Sequence, residues 1–131
     1  MGYNPHYSAG ELGLELYSLD EPEMSYEFNT LDFWATKDGR VFSASDSGCS
    51  CPTPFEDYEG ATQDEVLQKL EQVGSVRQAL EIFDAWNKGY EGNAFMAPGD
   101  RNGLEGWVRK KLEPASKIPF GGVGDRDLLL W

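Results

Sequence analysis

From Glu11 to Leu19 the chain alternates, with Leu12, Leu14, Leu16 and Ser18 on one side and Glu11, Gly13, Glu15 and Tyr17 on the other. A period of two predicts a half-buried strand over about 11–19. Asp20-Glu21-Pro22-Glu23 ends it, because proline fixes its own φ and donates nothing to a ladder. Tyr26 to Thr36 is a second run, rich in aromatic and β-branched residues, and Val41 to Ala44 is a third. Between them stands Lys37-Asp38-Gly39-Arg40, and Asp-Gly between two strand-like runs predicts a hairpin over about 26–44. Leu31, Phe33 and Ala35 then oppose Val41 and Ser43 on one face, while Trp34 and Phe42 share the other. Both faces carry large apolar groups, so each needs a cover.

Past residue 60 the period changes. Thr62-Gln63-Asp64-Glu65 fits a capping box, and Val66, Leu67, Leu70 and Val73 form the stripe of a helix over about 63–74 that Gly74 can close in the left-handed conformation. Ser75-Val76-Arg77-Gln78 repeats the capping logic, and Val76, Ala79, Leu80, Phe83 and Trp86 carry a second helix over about 76–88. Residues 90–103 read as irregular, with Asp100 as a candidate cap. Leu104, Trp107, Val108 and Leu112 predict a short third helix that Pro114 ends. The first ten residues, with no period, read as a loose arm, and Leu128-Leu129-Leu130-Trp131 is too apolar to be left in water. The sum is a single α+β domain: a small antiparallel sheet packed with a helical hairpin and a short third helix.

Composition narrows the function classes. A chain of 131 residues that is 40% hydrophobic is long enough for one core without metal or disulfide staples. The net charge of −12 is uneven, since residues 1–60 hold twelve acidic against two basic side chains and residues 61–131 hold eleven against nine. Such a field repels phosphate backbones and anionic lipid, so direct nucleic-acid or membrane binding is not expected, whereas a basic protein partner is. The predicted helical pair offers only Arg77 and Lys88 against Glu81 and Asp84, too little to hold a duplex. Arg109-Lys110-Lys111 suits a helix C-terminus, or a contact with the acidic first half. No apolar run is long enough to span a bilayer, and a cytoplasmic protein is expected.

Candidate chemistry gathers in Phe42 to Tyr58, which holds both cysteines in a Cys-x-Cys spacing. Nucleophilic catalysis by thiol or serine wants a nearby base, and the sole histidine is His6 in the arm, so no catalytic set is expected and no cofactor. Cys49 and Cys51 can both face one zinc ion, with Asp46, Glu56, Asp57 or His6 completing four ligands, although the spacing differs from ordinary knuckles. Alternatively the stretch is architecture. Asp46-Ser47-Gly48 is turn chemistry in which Asp46 accepts amides two and three residues on, Pro52 and Pro54 keep the chain extended, and Phe55 and Tyr58 anchor it from below.

The run Ser45-Asp46-Ser47-Gly48-Cys49-Ser50-Cys51-Pro52-Thr53-Pro54-Phe55-Glu56-Asp57-Tyr58, preceded by Phe33-Trp34 and Asp38-Gly39-Arg40-Val41, resembles a family of small proteins from phages of actinobacteria over about residues 26–72. The resemblance implies a phage-encoded protein, in the cytoplasm of an infected host, from a domain family to which no activity is assigned. A non-enzymatic module that engages a host or phage protein is the expected function. Its partner contacts are expected at the polar rim of Asp46, Glu56 and Asp57 and at Trp34 and Trp131; a zinc- or thiol-dependent role for Cys49 and Cys51 is the alternative.

Overall fold

The computed structural model describes residues 2–22, 27–49, 53–88 and 94–116. Four strands, β1 (Glu15–Asp20), β2 (Glu27–Ala35), β3 (Val41–Cys49) and β4 (Glu71–Val73), form one antiparallel sheet in sequence order. Three helices accompany them: α1 (Gln63–Leu67), α2 (Val76–Asn87) and α3 (Pro98–Ser116). The architecture is α+β, as the periodicities predict.

The hairpin forms on Asp38-Gly39. Ala35 pairs with Val41, Thr36 N–H donates to Arg40 O at 2.9 Å, and Gly39 takes the left-handed turn position at φ 93° that a Cβ would resist. The facing pairs are those expected: Trp34 opposite Phe42 on one side, Phe33 opposite Ser43 on the other. The sheet therefore separates two cores. On the odd-numbered face of β2, Leu31, Phe33 and Ala35 pack with Val41, Val73, Ala79, Phe83, Leu104 and Val108 under α2 and α3. On the even-numbered face, Trp34 and Phe42 pack with Ala9, Leu12, Leu14, Phe55, Val66 and Leu67. Trp34 and Phe55 are wholly buried, each contributing about 1.5–3 kcal/mol relative to exposure.

Five expectations need correction. The helix expected over 63–74 stops at Leu67, although its capping box is complete: Glu65 N–H donates to Thr62 Oγ1 at 3.2 Å and the Glu65 carboxylate accepts the Thr62 amide at 3.2 Å. Glu71–Val73 instead pairs with Val41–Ser43, because a free strand edge offers those amides ladder partners while Val73 still reaches the core. Gly74 is consequently not a left-handed helix cap; its N–H donates to Gln78 Oε1 at 2.8 Å in front of α2, where Ser75 is the cap. The strand over 11–19 begins only at Glu15, since Gly10–Leu12 is a 3-10 turn closed by Gly13 at φ 75°. The third helix is long, starting at Pro98 and running beyond Pro114 to Ser116. Proline suits a first helical position, where its missing N–H has no partner to lose, and Asp100 reaches back to the Ala97 amide at 3.0 Å. Likewise β3 passes through Ser45-Asp46-Ser47-Gly48 to Cys49, because β2 supplies paired backbone as far back as Glu27.

The arm is the fifth correction. Residues expected to be loose are pinned across the even face: Tyr3 and Gly60 exchange two backbone hydrogen bonds at 2.8 and 3.2 Å, and Asn4, Pro5 and Ala9 are buried. No helix among the described residues is long and apolar enough to cross a membrane.

Candidate functional site

The even face of the sheet is apolar at one end and polar at the other. Trp34, Phe42 and Leu16 form the apolar end; Ser18, Thr30 and Asp32 follow on β1 and β2. A carboxylate in the middle strand of a sheet cannot remain charged without partners. Asp32 is fully buried, and three groups meet it: His6 Nδ1 at 2.5 Å from Oδ2, Ser18 Oγ at 2.5 Å from Oδ1, and Thr30 Oγ1 at 3.1 Å from Oδ1.

The arm brings His6 to this point through a chain of local bonds. Asn4 donates from Nδ2 to Pro54 O at 2.8 Å, and its Oδ1 accepts the amides of His6 and Tyr7 at 2.7 and 3.2 Å, so the arm turns back sharply. The Trp34 indole N–H donates to Pro5 O at 2.9 Å. The imidazole then stacks on Phe55, with centroids 5.6 Å apart and planes at 27°, and meets the edge of Tyr7. The hydrogen bond to Asp32 raises the affinity of His6 for its proton, burial opposes this, and the charges of Asp32 and Asp20 add to it.

A buried aspartate on imidazole Nδ1 is the orienting half of a serine-hydrolase triad. Among the described residues the other half is not assembled, because the Ser18 hydroxyl donates to Asp32 rather than to the imidazole. The cluster clasps the arm to the sheet.

Phe55, the residue on which His6 stacks, sits in the left-handed region at φ 61° and is wholly buried. It touches Trp34 edge-on at 5.3 Å and Tyr58 at 5.4 Å. The carboxylate of Asp46 holds it there, accepting the Phe55 amide at 2.8 Å and the Ser47 amide at 2.9 Å. Phe55 is thus the anchor expected of it, whereas Asp46 bonds one and nine residues onward rather than two and three.

The outer surface of this layer has a composition of its own. Residues 2–14 and 53–67 contain no lysine or arginine, yet display Glu11, Glu56, Asp57, Glu59, Asp64 and Glu65, all exposed. Tyr3 and Tyr7 stand out of the same surface at 42% and 65% exposure. On the helices across the sheet Arg77, Arg101 and Arg109 pair with Glu81, Asp84 and Glu105, and Lys111 crosses to Glu15 at 2.6 Å, while Lys69 reaches this layer, donating to Glu59 O at 2.7 Å, and Arg40 pairs with Asp38.

Of the residues singled out in the sequence, Glu56 and Asp57 are exposed in a 3-10 turn on this layer, and Asp46 is half-buried beside it. Trp34 is corrected: its position in the core, with the indole N–H satisfied by Pro5, removes it from any partner surface. Cys51 and Trp131 lie outside the described residues, as does the side chain of Cys49, and the expected zinc set goes with them. The His6–Asp32 clasp and the two tyrosines were missed. One signal for the clasp was available, since Asp32 shares the phase of Trp34 in a strand buried on both faces and the chain has one histidine.

No curated protein and no solved structure matches the chain. A family described as a domain of unknown function, DUF7574, matches residues 3–97, which takes in the arm, the whole sheet and α2; the chain belongs to that family.

Proposed function

We propose that the chain is a non-enzymatic protein-binding module that uses the arm-and-loop layer to engage a basic surface of a host or phage protein. The observation that carries this reading is the acidity of the arm-and-loop segments, where residues 2–14 and 53–67 display six exposed carboxylates and no lysine or arginine, with Tyr3 and Tyr7 exposed on the arm. Tyrosine is favoured at interfaces because it buries a large area at low cost in side-chain entropy, and one-signed charge steers the encounter. The sheet and the His6–Asp32 clasp supply a rigid platform, so little ordering remains to be done on binding. The phage origin and the cytoplasmic setting rest on the resemblance of the 45–58 run.

Capture of partners from a bacterial lysate tests it, with the wild-type chain, Tyr7→Ala, and the double variant Asp57→Lys and Glu59→Lys as baits. A protein retained at low salt, weakened at moderate salt, and lost with both variants is expected. Competition by duplex DNA then shows whether the carboxylates stand in for phosphates. A wild-type bait that retains nothing above background at either salt level, or variants that retain the same protein equally well, would overturn the reading.

A further inference from the structure

The arm meets the rest of the chain through polar contacts more than through apolar burial. Tyr3 and Gly60 exchange two backbone bonds, Asn4 donates to Pro54 O, Pro5 O accepts the Trp34 indole N–H, and His6 meets Asp32 and the face of Phe55. The apolar share is small, since Pro5 is buried while Tyr3 and Tyr7 face solvent. Within itself the segment is tied: Asn4 Oδ1 takes the amides of His6 and Tyr7, and Ser8 N–H donates to Asn4 O at 2.7 Å. Those bonds travel with the segment when it moves.

The body needs little from it. Residues 3–8 supply nothing to the four strands, the three helices or the core under α2 and α3. The even-face core takes Ala9, Leu12 and Leu14, which follow the segment. Ala9 O accepts the Leu12 and Leu14 amides at 3.0 and 2.9 Å, so the chain is fixed again from Ala9 onward.

We infer that residues 3–8 form a strap that lifts off the even face as one unit while the rest of the fold persists, with His6 on Asp32 as its latch. The closed strap is the ground state. Opening it breaks a handful of polar bonds that water can replace and gives up little apolar contact, so it costs less than unfolding the sheet. Resting on the binding role proposed above, the strap also sets competence: the closed fraction alone presents Tyr3 and Tyr7 as they are placed here, and apparent affinity scales with that fraction.

Hydrogen exchange followed by NMR on the full chain, with no partner present, tests the strap apart from any binding role. Three protons report on it: the Tyr3 amide, the Gly60 amide and the Trp34 indole N–H, each bonded across the strap's boundary. The amides of Leu31 and Phe33, paired in the middle of the sheet, report on unfolding. The three strap protons are expected to share one open fraction, larger than that of the sheet amides, and to respond to low urea with a much shallower slope because little surface is exposed. His6→Gln, which keeps a donor and loses the charge, is expected to raise that open fraction about tenfold at all three. Val108→Ala, in the other core, is expected to raise exchange at Leu31 and Phe33 about tenfold and to leave the strap protons unmoved. Strap protons that follow the urea slope of the sheet amides, that open to unequal extents, that ignore His6→Gln, or that follow Val108→Ala would each overturn the inference. The urea series on the wild type decides even where a variant does not fold.

Discussion

His6 Nδ1 lies 2.5 Å from Asp32 Oδ2, across 26 residues of sequence, and this contact closes the arm over a carboxylate that is otherwise sealed in the sheet. Removing the imidazole leaves Asp32 with only two hydroxyls for partners. His6→Ala is therefore expected to cost on the order of 3 kcal/mol, read as a lower urea midpoint at unchanged m. Asp32→Asn, which removes the charge and keeps the shape, is expected to cost less. Equal losses for the two would show that the charge pair is not what matters.

The same contact sets a dependence on pH. His6 holds its proton more tightly folded than unfolded, chiefly through the hydrogen bond to Asp32. Its contribution is fully present below about pH 6.5, the ordinary imidazole value, and is lost as the pH rises through the raised folded value. A urea midpoint that falls across that window in the wild type, and stays level in His6→Gln, is the expected pair of curves. An imidazole NMR titration locates the upper end of the window.

Asp46 and its neighbours Asp57 and Glu59 should separate cleanly under substitution. Asp46 accepts two backbone amides and holds Phe55 in its left-handed conformation, so Asp46→Ala is expected to cost about 1.5–3 kcal/mol. Asp57→Ala and Glu59→Ala, exposed and without a cation in ion-pair reach among the described residues, are expected to stay within about 0.5 kcal/mol. Thermal denaturation of the three variants is sufficient to compare them.

Gly103 lies inside α3, where alanine would ordinarily gain about 1 kcal/mol. A Cβ at that position would stand 2.7 Å from the hydroxyl oxygen of Tyr17, whose ring packs on Trp107 at 5.4 Å. Gly103→Ala is expected to be neutral or destabilising in the wild type and stabilising in a Tyr17→Phe background. The double-mutant cycle is checked by chemical denaturation, and additivity would mean that the tyrosine yields without cost.

Local chemistry made much of this fold readable. Asp38-Gly39 and the alternation of Leu31 to Ala35 lead to the hairpin and its two faces, and Thr62 with Glu65 marks a helix start. What escaped was decided at a distance. The arm has no period because its order comes from bonds to Pro54 and Gly60, about fifty residues on. Glu71-Gln72-Val73 satisfies a helical stripe and a strand equally well, and the open edge of Val41–Ser43 settles it. The acidic layer was legible only in part. Asp57 stands where a solvated turn residue should, but Tyr3 and Tyr7 gain their meaning from being held on a surface that the arm's sequence does not disclose.

That β2 serves two cores at once also limits how related chains can differ. Leu31 and Phe33 belong to one core, Asp32 and Trp34 to the other, and a single added or lost residue would exchange them, driving a carboxylate under α2 and α3. Insertions and deletions among members of the family are therefore expected in the turns and connections, and in β2 and β3 only in pairs.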